Sequence, residues 1–162
     1  MSKKRKDKTT FAPRIVNRKA RHDYHVLDSL EVGIVLTGSE VKSIRNGQVS
    51  LGEGYARIDP RSLEMHLIGV NIAPYSHAGP TTGHEPTAPR KLLAHKRQVR
   101  QLLDQISSKG VTLIPLTMYF VRGKVKVELG VCRGKQAADK RQDMKQRDAD
   151  KEIRRAMTRK VI

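Results

Sequence analysis

Apolar and polar residues alternate through most of this chain, and the period lengthens in only a few places. The segments RHDYHVL (21–27) and EVGIVL (31–36) read as two strands, with Val32, Ile34 and Leu36 on one face. TGSEVKSIRNG (37–47) reads as a short helix that Ser39 can cap, with Val41 and Ile44 turned inward and Asn46-Gly47 closing it. EGYARI (53–58) and LEMHLIG (63–69) flank the turn composition Asp59-Pro60-Arg61-Ser62, which predicts a hairpin with Leu63, Met65 and Leu67 on one face. Pro74 to Pro89 holds four of the seven prolines and predicts a surface loop.

A helix is expected over RKLLAHKRQVRQLLDQISSKG (90–110). Leu92, Val99, Leu102, Leu103 and Ile106 supply its apolar stripe, Gly110 its end, and Arg90, Lys91, Lys96, Arg97 and Arg100 a basic first half. VTLIPLTMYFV (111–121) and KVKVELGVC (124–132) read as two strands joined through Arg122-Gly123. In the second, Val125, Val127 and Leu129 alternate with Lys124, Lys126 and Glu128. Six short strands with about three peripheral helices and tight turns predict a mainly β chain, a small antiparallel barrel rather than a parallel sheet.

The last segment, GKQAADKRQDMKQRDADKEIRRAMTRK (134–160), breaks the pattern. Its residues favour helix, yet Met144, Ile153 and Met157 are almost all it has to bury. Such a segment is either a solvated tail or a piece whose partner lies outside the chain.

Charge sharpens that choice. The 162 residues carry 33 Lys plus Arg against 16 Asp plus Glu, a formal charge of +17. Met1 to Arg21, His22 to Cys132 and Arg133 to Ile162 hold roughly +8, +3 and +6 respectively, so a near-neutral body carries two cationic arms. Nucleic acid is the expected partner class. One domain with appendages fits the length. A single cysteine excludes an internal disulfide, no His/Cys cluster suggests a metal, and no apolar run suits a signal or a membrane span. A soluble cytoplasmic protein is expected.

Enzyme signatures are missing. GVCRGKQ lacks the glycine spacing and the Ser/Thr of a phosphate loop, and Cys132 ends a strand where a core or edge thiol is the simpler reading. Glu31 opens an apolar strand, where its carboxylate can accept hydrogen bonds from nucleotide hydroxyl or amino groups. Two Phe, four Tyr and no Trp are too few to stack successive bases, so a folded RNA gripped through phosphates and shape is favoured. An adaptor, a ribosomal protein and an RNA-processing enzyme all remain open on these grounds.

Several motifs occur together and in order. They are Asn17-Arg18-Lys19-Ala20-Arg21-His22-Asp23-Tyr24, the run Glu31 to Arg45, Arg90-Lys91-Leu92-Leu93, Lys124-Val125-Lys126, Gly134-Lys135 and Asp139-Lys140-Arg141. From about Ile15 to Met157 the chain resembles the SsrA-binding protein family, also called small protein B, the bacterial partner of transfer-messenger RNA. The resemblance implies an OB-like antiparallel barrel (residues 15–132) between a basic arm (1–14) and a basic tail (133–162). It implies no catalysis and no cofactor, but trans-translation. A monomer binds the tRNA-like part of transfer-messenger RNA and brings it to a stalled 70S ribosome, with elongation factor Tu and alanyl-tRNA synthetase engaged through the RNA.

By the same resemblance Asn17, Arg18, Lys19, His22, Glu31, Lys91, Leu93, Lys124 and Lys126 are expected at the RNA. Arg133, Lys135, Asp139, Lys140, Arg141, Lys145, Arg147, Lys151, Arg154, Arg155 and Met157 are expected in the decoding centre and mRNA channel. Many members carry His or Tyr before the Asp-Lys-Arg triplet, where this chain has Ala138. A ring cannot stack at that step, and neighbouring cations are left to hold phosphate. The tail's charge and poverty in large apolar groups predict that it is disordered in the free protein and helical only on the ribosome.

Overall fold

The computed structural model describes residues 12–159. Its nine strands and four helices follow the order β1 (Ile15–Val16), α1 (Arg18–Asp23), β2 (Tyr24–Ile34), α2 (Gly38–Arg45), β3 (Val49–Ser50), β4 (Tyr55–Ile58), β5 (Met65–Ile68), β6 (Asn71–Ile72), β7 (Arg90–Leu93), α3 (Lys96–Ile106), β8 (Val111–Val121), β9 (Lys124–Gly134) and α4 (Ala137–Arg159). Strands β8, β4, β5, β7, β2 and β9 pair in that order, and β9 returns to β8, closing an antiparallel ring. Closure leaves the ring no free edge, and β1 adds beside β8. The expected six-stranded barrel is therefore present, with different membership.

Two of the differences have local causes. The segments read as separate first strands are one strand, β2, bent by a bulge between Val26 and Asp28 where its pairing with β9 slips. The sixth strand comes instead from Arg90–Leu93, read from the sequence as the start of a helix. Arg90 and Leu92 point inward and Lys91 and Leu93 outward, a period of two that four residues cannot advertise beside the strong helical period of α3. Arg90 accordingly leaves the basic first half assigned to that helix and is buried.

Arg90 holds the long loop down. Its Nε donates to Glu40 Oε1 at 2.7 Å and Nη1 to the Val70 carbonyl at 2.8 Å. Its Nη2 donates to the carbonyls of Glu85 and Pro86 at 3.1 and 2.9 Å. Glu40 in turn accepts the Thr37 N–H at 2.8 Å, so Thr37, not Ser39, caps α2. Ser39 instead meets His84 of the loop, Oγ to Nδ1 at 2.9 Å.

Inward-facing Val32, Ile44, Met65, Leu67, Ile72, Leu92, Leu113, Met118, Val127 and Leu129 fill the barrel. Each fully buried large aliphatic side chain contributes about 1.5–3 kcal/mol. Val125, Val127 and Leu129 are buried as their alternation predicted. Leu63 instead sits in the turn at φ 57, outside the strand face assigned to it. Arg122 and Gly123 both have positive φ, 50 and 77, as a two-residue hairpin twisted with its strands requires.

A smaller cluster lies beneath α1: Ala20, Ile114, Leu116 and Cys132. Pro115 sits where β8 slips against β9, a position that tolerates its missing N–H. The short helix α1 went unseen in the sequence because only Ala20 of its six residues is buried.

The tail takes the helical form expected of it on the ribosome: Ala137–Arg159 is one helix of 23 residues. High propensity supplies the conformation, and contacts with α1 and β2 hold its first turns. Beyond them the side chains through Thr158 are exposed, with Ile153 and Met157 uncovered.

Candidate nucleic-acid interface

Strand pairing assembles the first cluster. Gly33 lies opposite Leu93 of β7 on one side and Lys126 of β9 on the other. A Cβ at Gly33 would stand 3.3 Å from the Leu93 Cβ, so a hydrogen there lets the leucine lie across β2. Leu93 is half exposed, at 51 %, although it is a large aliphatic residue in a barrel strand. With Lys124 and Lys126 it borders a groove of about 390 Å³ that also takes in Gly33, Leu36 and Val41. The groove is open, apolar at its floor and cationic at its rim.

Glu31 stands two residues before Gly33, opposite Glu128. Like charges in facing positions repel, so something must steady this pair. The Tyr119 hydroxyl donates to Glu31 Oε2. That hydrogen bond, followed by burial, pushes the Tyr119 phenol up to about 12. Arg14 places its guanidinium 5.4 Å from the centre of the Tyr119 ring. Glu31 is thus held as an oriented acceptor, able to take an N–H or hydroxyl from a nucleotide. Lys91, on the outer face of β7 with Leu93, reaches Glu64 Oε1 at 2.5 Å, and this bond holds the Glu64 carboxyl below its ordinary value.

A second cluster surrounds α1. Asn17 is buried, its amide donating to the carbonyls of Leu51 and Pro115 at 3.0 and 2.9 Å while its Oδ1 accepts the Ala20 N–H at 3.0 Å. Both amide hydrogens are spent, so Asn17 seats α1 instead of offering an outward contact. Arg18 is exposed, Lys19 pairs with Glu53, and His22 Nδ1 lies 2.8 Å from Asp23 Oδ1. Arg14, three residues before Asn17, stands on the Tyr119 ring whose hydroxyl meets Glu31, and the Asn17 N–H donates to the carbonyl of Leu116, three residues before Tyr119 on β8, so the two clusters adjoin. The nine residues expected at the RNA therefore fall into two clusters joined through β1 and β8.

The second cluster continues into the tail. Tyr24 and His25 pair with Gly134 and Arg133. His25 Nε2 lies 3.4 Å from Asp139 Oδ2, and Lys140 Nζ lies 3.3 Å from Asp23 Oδ1. The His22 bond, more than Lys140, holds Asp23 below its usual carboxylate range. Arg141, Lys145, Arg147, Lys151, Arg154, Arg155 and Met157 are all exposed along α4. Lys135 is not: its side chain is 6 % exposed, donating to the Arg21 carbonyl at 3.1 Å and pairing with Asp143.

Tyr119, Asp23 and the cation–ring pairs Lys42 on Tyr75 and Arg45 on Phe120, at 5.2 and 5.6 Å, were not singled out from the sequence. Alternation could have placed Tyr119 outward beside Lys126, but nothing local points it at Glu31, 88 residues away. Burial raises the Cys132 thiol to about 11, so thiolate chemistry at neutral pH is closed to it. Among the described residues no group of three or more His, Cys, Asp or Glu could hold a metal. No helix among them is long and apolar enough to cross a membrane.

A closed β barrel with an oriented carboxylate, an uncovered leucine, lysines at a groove rim and a cationic helical arm defines a nucleic-acid-binding protein of the OB-like class. Comparison with known proteins agrees, since the family model "SmpB protein" matches residues 14–159. An SsrA-binding protein of Acidothermus cellulolyticus is 52 % identical over 145 residues, 90 % of this chain and 89 % of the relative. That of Thermosynechococcus vestitus is 49 % identical over 141 residues, covering 87 % and 91 %. The solved structure described as "tmRNA-SmpB: a journey to the center of the bacterial ribosome" aligns with TM-score 0.65 at 46 % identity, over 78 % of this chain and 87 % of that one. This chain belongs to the SmpB family of SsrA-binding proteins.

Proposed function

We propose that this protein is a noncatalytic, monomeric cytoplasmic adaptor. It binds the tRNA-like part of transfer-messenger RNA and carries it to stalled 70S ribosomes for trans-translation, nascent-chain tagging and ribosome rescue. Elongation factor Tu and alanyl-tRNA synthetase join through the RNA. The observation that carries this reading is the convergence of Glu31, Leu93, Lys124 and Lys126 on one face of the barrel, where two strand registers meet at Gly33. The Glu31, Leu93, Lys124 and Lys126 face combines a directional acceptor, an apolar contact and phosphate-binding charge, the set that a folded RNA requires. The tail offers charge without a grooved apolar face, which suits a channel walled by phosphates.

In this division, residues 15–132 capture the RNA, residues 133–162 work inside the ribosome, and the basic arm 1–14 adds charge. Arg18, Lys19 and His22 sit at the junction, on the surface shared with the tail root. Sequencing RNA crosslinked to the protein in bacterial cells tests the reading. It predicts enrichment of transfer-messenger RNA, together with ribosomal RNA from the decoding region. Recovery of ribosomal RNA alone would make the chain a ribosomal protein, and recovery of a precursor that changes length would make it a processing factor.

A further inference from the structure

Lys135 is the anomaly in the tail. It lies among residues whose charges face water, yet its own side chain is 6 % exposed. A lysine ammonium is sequestered only where acceptors replace its water. Two do so: the carbonyl of Arg21, in the last turn of α1, at 3.1 Å, and the carboxylate of Asp143, in the second turn of α4. The Lys135 N–H also donates to the Asp23 carbonyl at 2.8 Å, which continues the β2–β9 ladder to the point where the helix begins. The hydrogen bond from the Lys135 ammonium, with its charge, holds the Asp143 carboxyl below its ordinary range.

We propose that Lys135 is a positioning residue: it clasps the second turn of α4 to the end of α1 and thereby fixes the direction in which the tail leaves the barrel. Asp23 with Lys140 and His25 with Asp139 brace the same joint from exposed positions, where ion pairs are weak. The buried lysine is the part that water cannot readily replace. Direction matters because of leverage. A helix of 23 residues at 1.5 Å per residue is about 35 Å long, so a swing of about 20° at its root moves the far end by about 12 Å. That displacement is about the full diameter of a helix with its side chains and would miss a channel one helix wide. Only the use of this direction in delivery rests on the function proposed above; the clasp itself belongs to the free chain.

The full-length protein, spin-labelled at Arg57→Cys on β4 and Glu152→Cys on α4, both exposed positions, gives the distance from barrel to tail directly. Cys132 is buried and does not compete for label. The parent chain is expected to give one narrow distance distribution. Lys135→Met and Asp143→Asn are expected to broaden or displace it by about 10 Å or more, with helical circular dichroism unchanged, and Asp143→Glu is expected to restore it. Asp143 lies on the outer helix, so its substitution leaves the barrel intact even where Lys135→Met disturbs folding. On stalled ribosomes the two disruptive variants are expected to capture transfer-messenger RNA normally yet lose tagging by about tenfold or more.

An unchanged distance distribution in both variants overturns the proposal. So does loss of RNA capture in step with tagging, which would make Lys135 a contact residue. A parent chain that ignores transfer-messenger RNA while its variants still broaden the distance would refute the function and leave the clasp standing.

Discussion

Arg90→Met is expected to be the most damaging single substitution in the barrel that leaves its apolar packing largely intact. The guanidinium and the Glu40 carboxylate are both almost fully buried, with side-chain exposures of 3 % and 6 %. Methionine follows the stem of arginine but donates nothing. The substitution strands Glu40 with the Thr37 N–H as its remaining partner and removes donors from the carbonyls of Val70, Glu85 and Pro86. Breaking one partner of a buried pair costs about 3–5 kcal/mol, most of it the uncompensated charge. A domain of this size has about 5–15 kcal/mol in total.

Urea unfolding followed by far-ultraviolet circular dichroism measures the loss as a drop in midpoint at constant slope. The double variant Arg90→Met, Glu40→Leu removes the stranded charge and is expected to recover more than half of the loss. The remainder belongs to the three carbonyls and to the Thr37 N–H, which loses its acceptor. A loss below about 1 kcal/mol for Arg90→Met would refute the reasoning, because it would mean that water reaches the site and the pair is effectively exposed.

Glu31→Ala is expected to weaken RNA binding although it makes the protein more cationic; stronger binding in a filter assay would show that bulk charge dominates. Lys126→Ala is expected to lower affinity at every sequence and to flatten the dependence of log affinity on log salt by about one unit, read from a salt titration. Tyr119 is expected to ionise near 12 instead of 10.0 in an ultraviolet titration, with Tyr119→Phe identifying the signal. The folded value is raised, so the Tyr119–Glu31 bond contributes stability that is complete below about pH 10 and lost as pH rises through about 12. Glu31→Gln is expected to bring that midpoint back toward 10.0.

Alternation was enough to recover β4, β5 and the first half of β9, because each buries one face there, whereas β8 is buried on both faces from Leu113 to Met118 and stands out instead as a nearly unbroken apolar segment. Alternation failed where the deciding partner is remote. Arg90–Leu93 is a strand because β5 and β2 flank it, with paired residues 23 or more positions away, and four residues of alternation could not outweigh the helix that follows. Arg90 looked like a surface cation because its acceptors come from α2, Val70 and the loop.

The site divided in the same way. The outward lysines 124 and 126 were legible from the strand period, and Glu31 from its place at the head of an apolar run. Their convergence with Leu93 was not, since it depends on the two registers that meet at Gly33. The seating of the tail was illegible for a related reason. Its composition gives no sign of Lys135 folding back on the Arg21 carbonyl, a contact that spans 114 positions.

The division of labour between barrel and tail is tested most directly by truncating the chain after Gly134 and measuring two quantities on the same preparation. One is affinity for transfer-messenger RNA, and the other is transfer of its alanine to the nascent chain on stalled ribosomes. The account predicts that the truncated protein keeps affinity close to that of the full chain, because Glu31, Leu93, Lys124 and Lys126 remain, while alanine transfer falls to background. Alanine transfer at the full-length rate, or loss of RNA affinity in proportion to transfer, would contradict it.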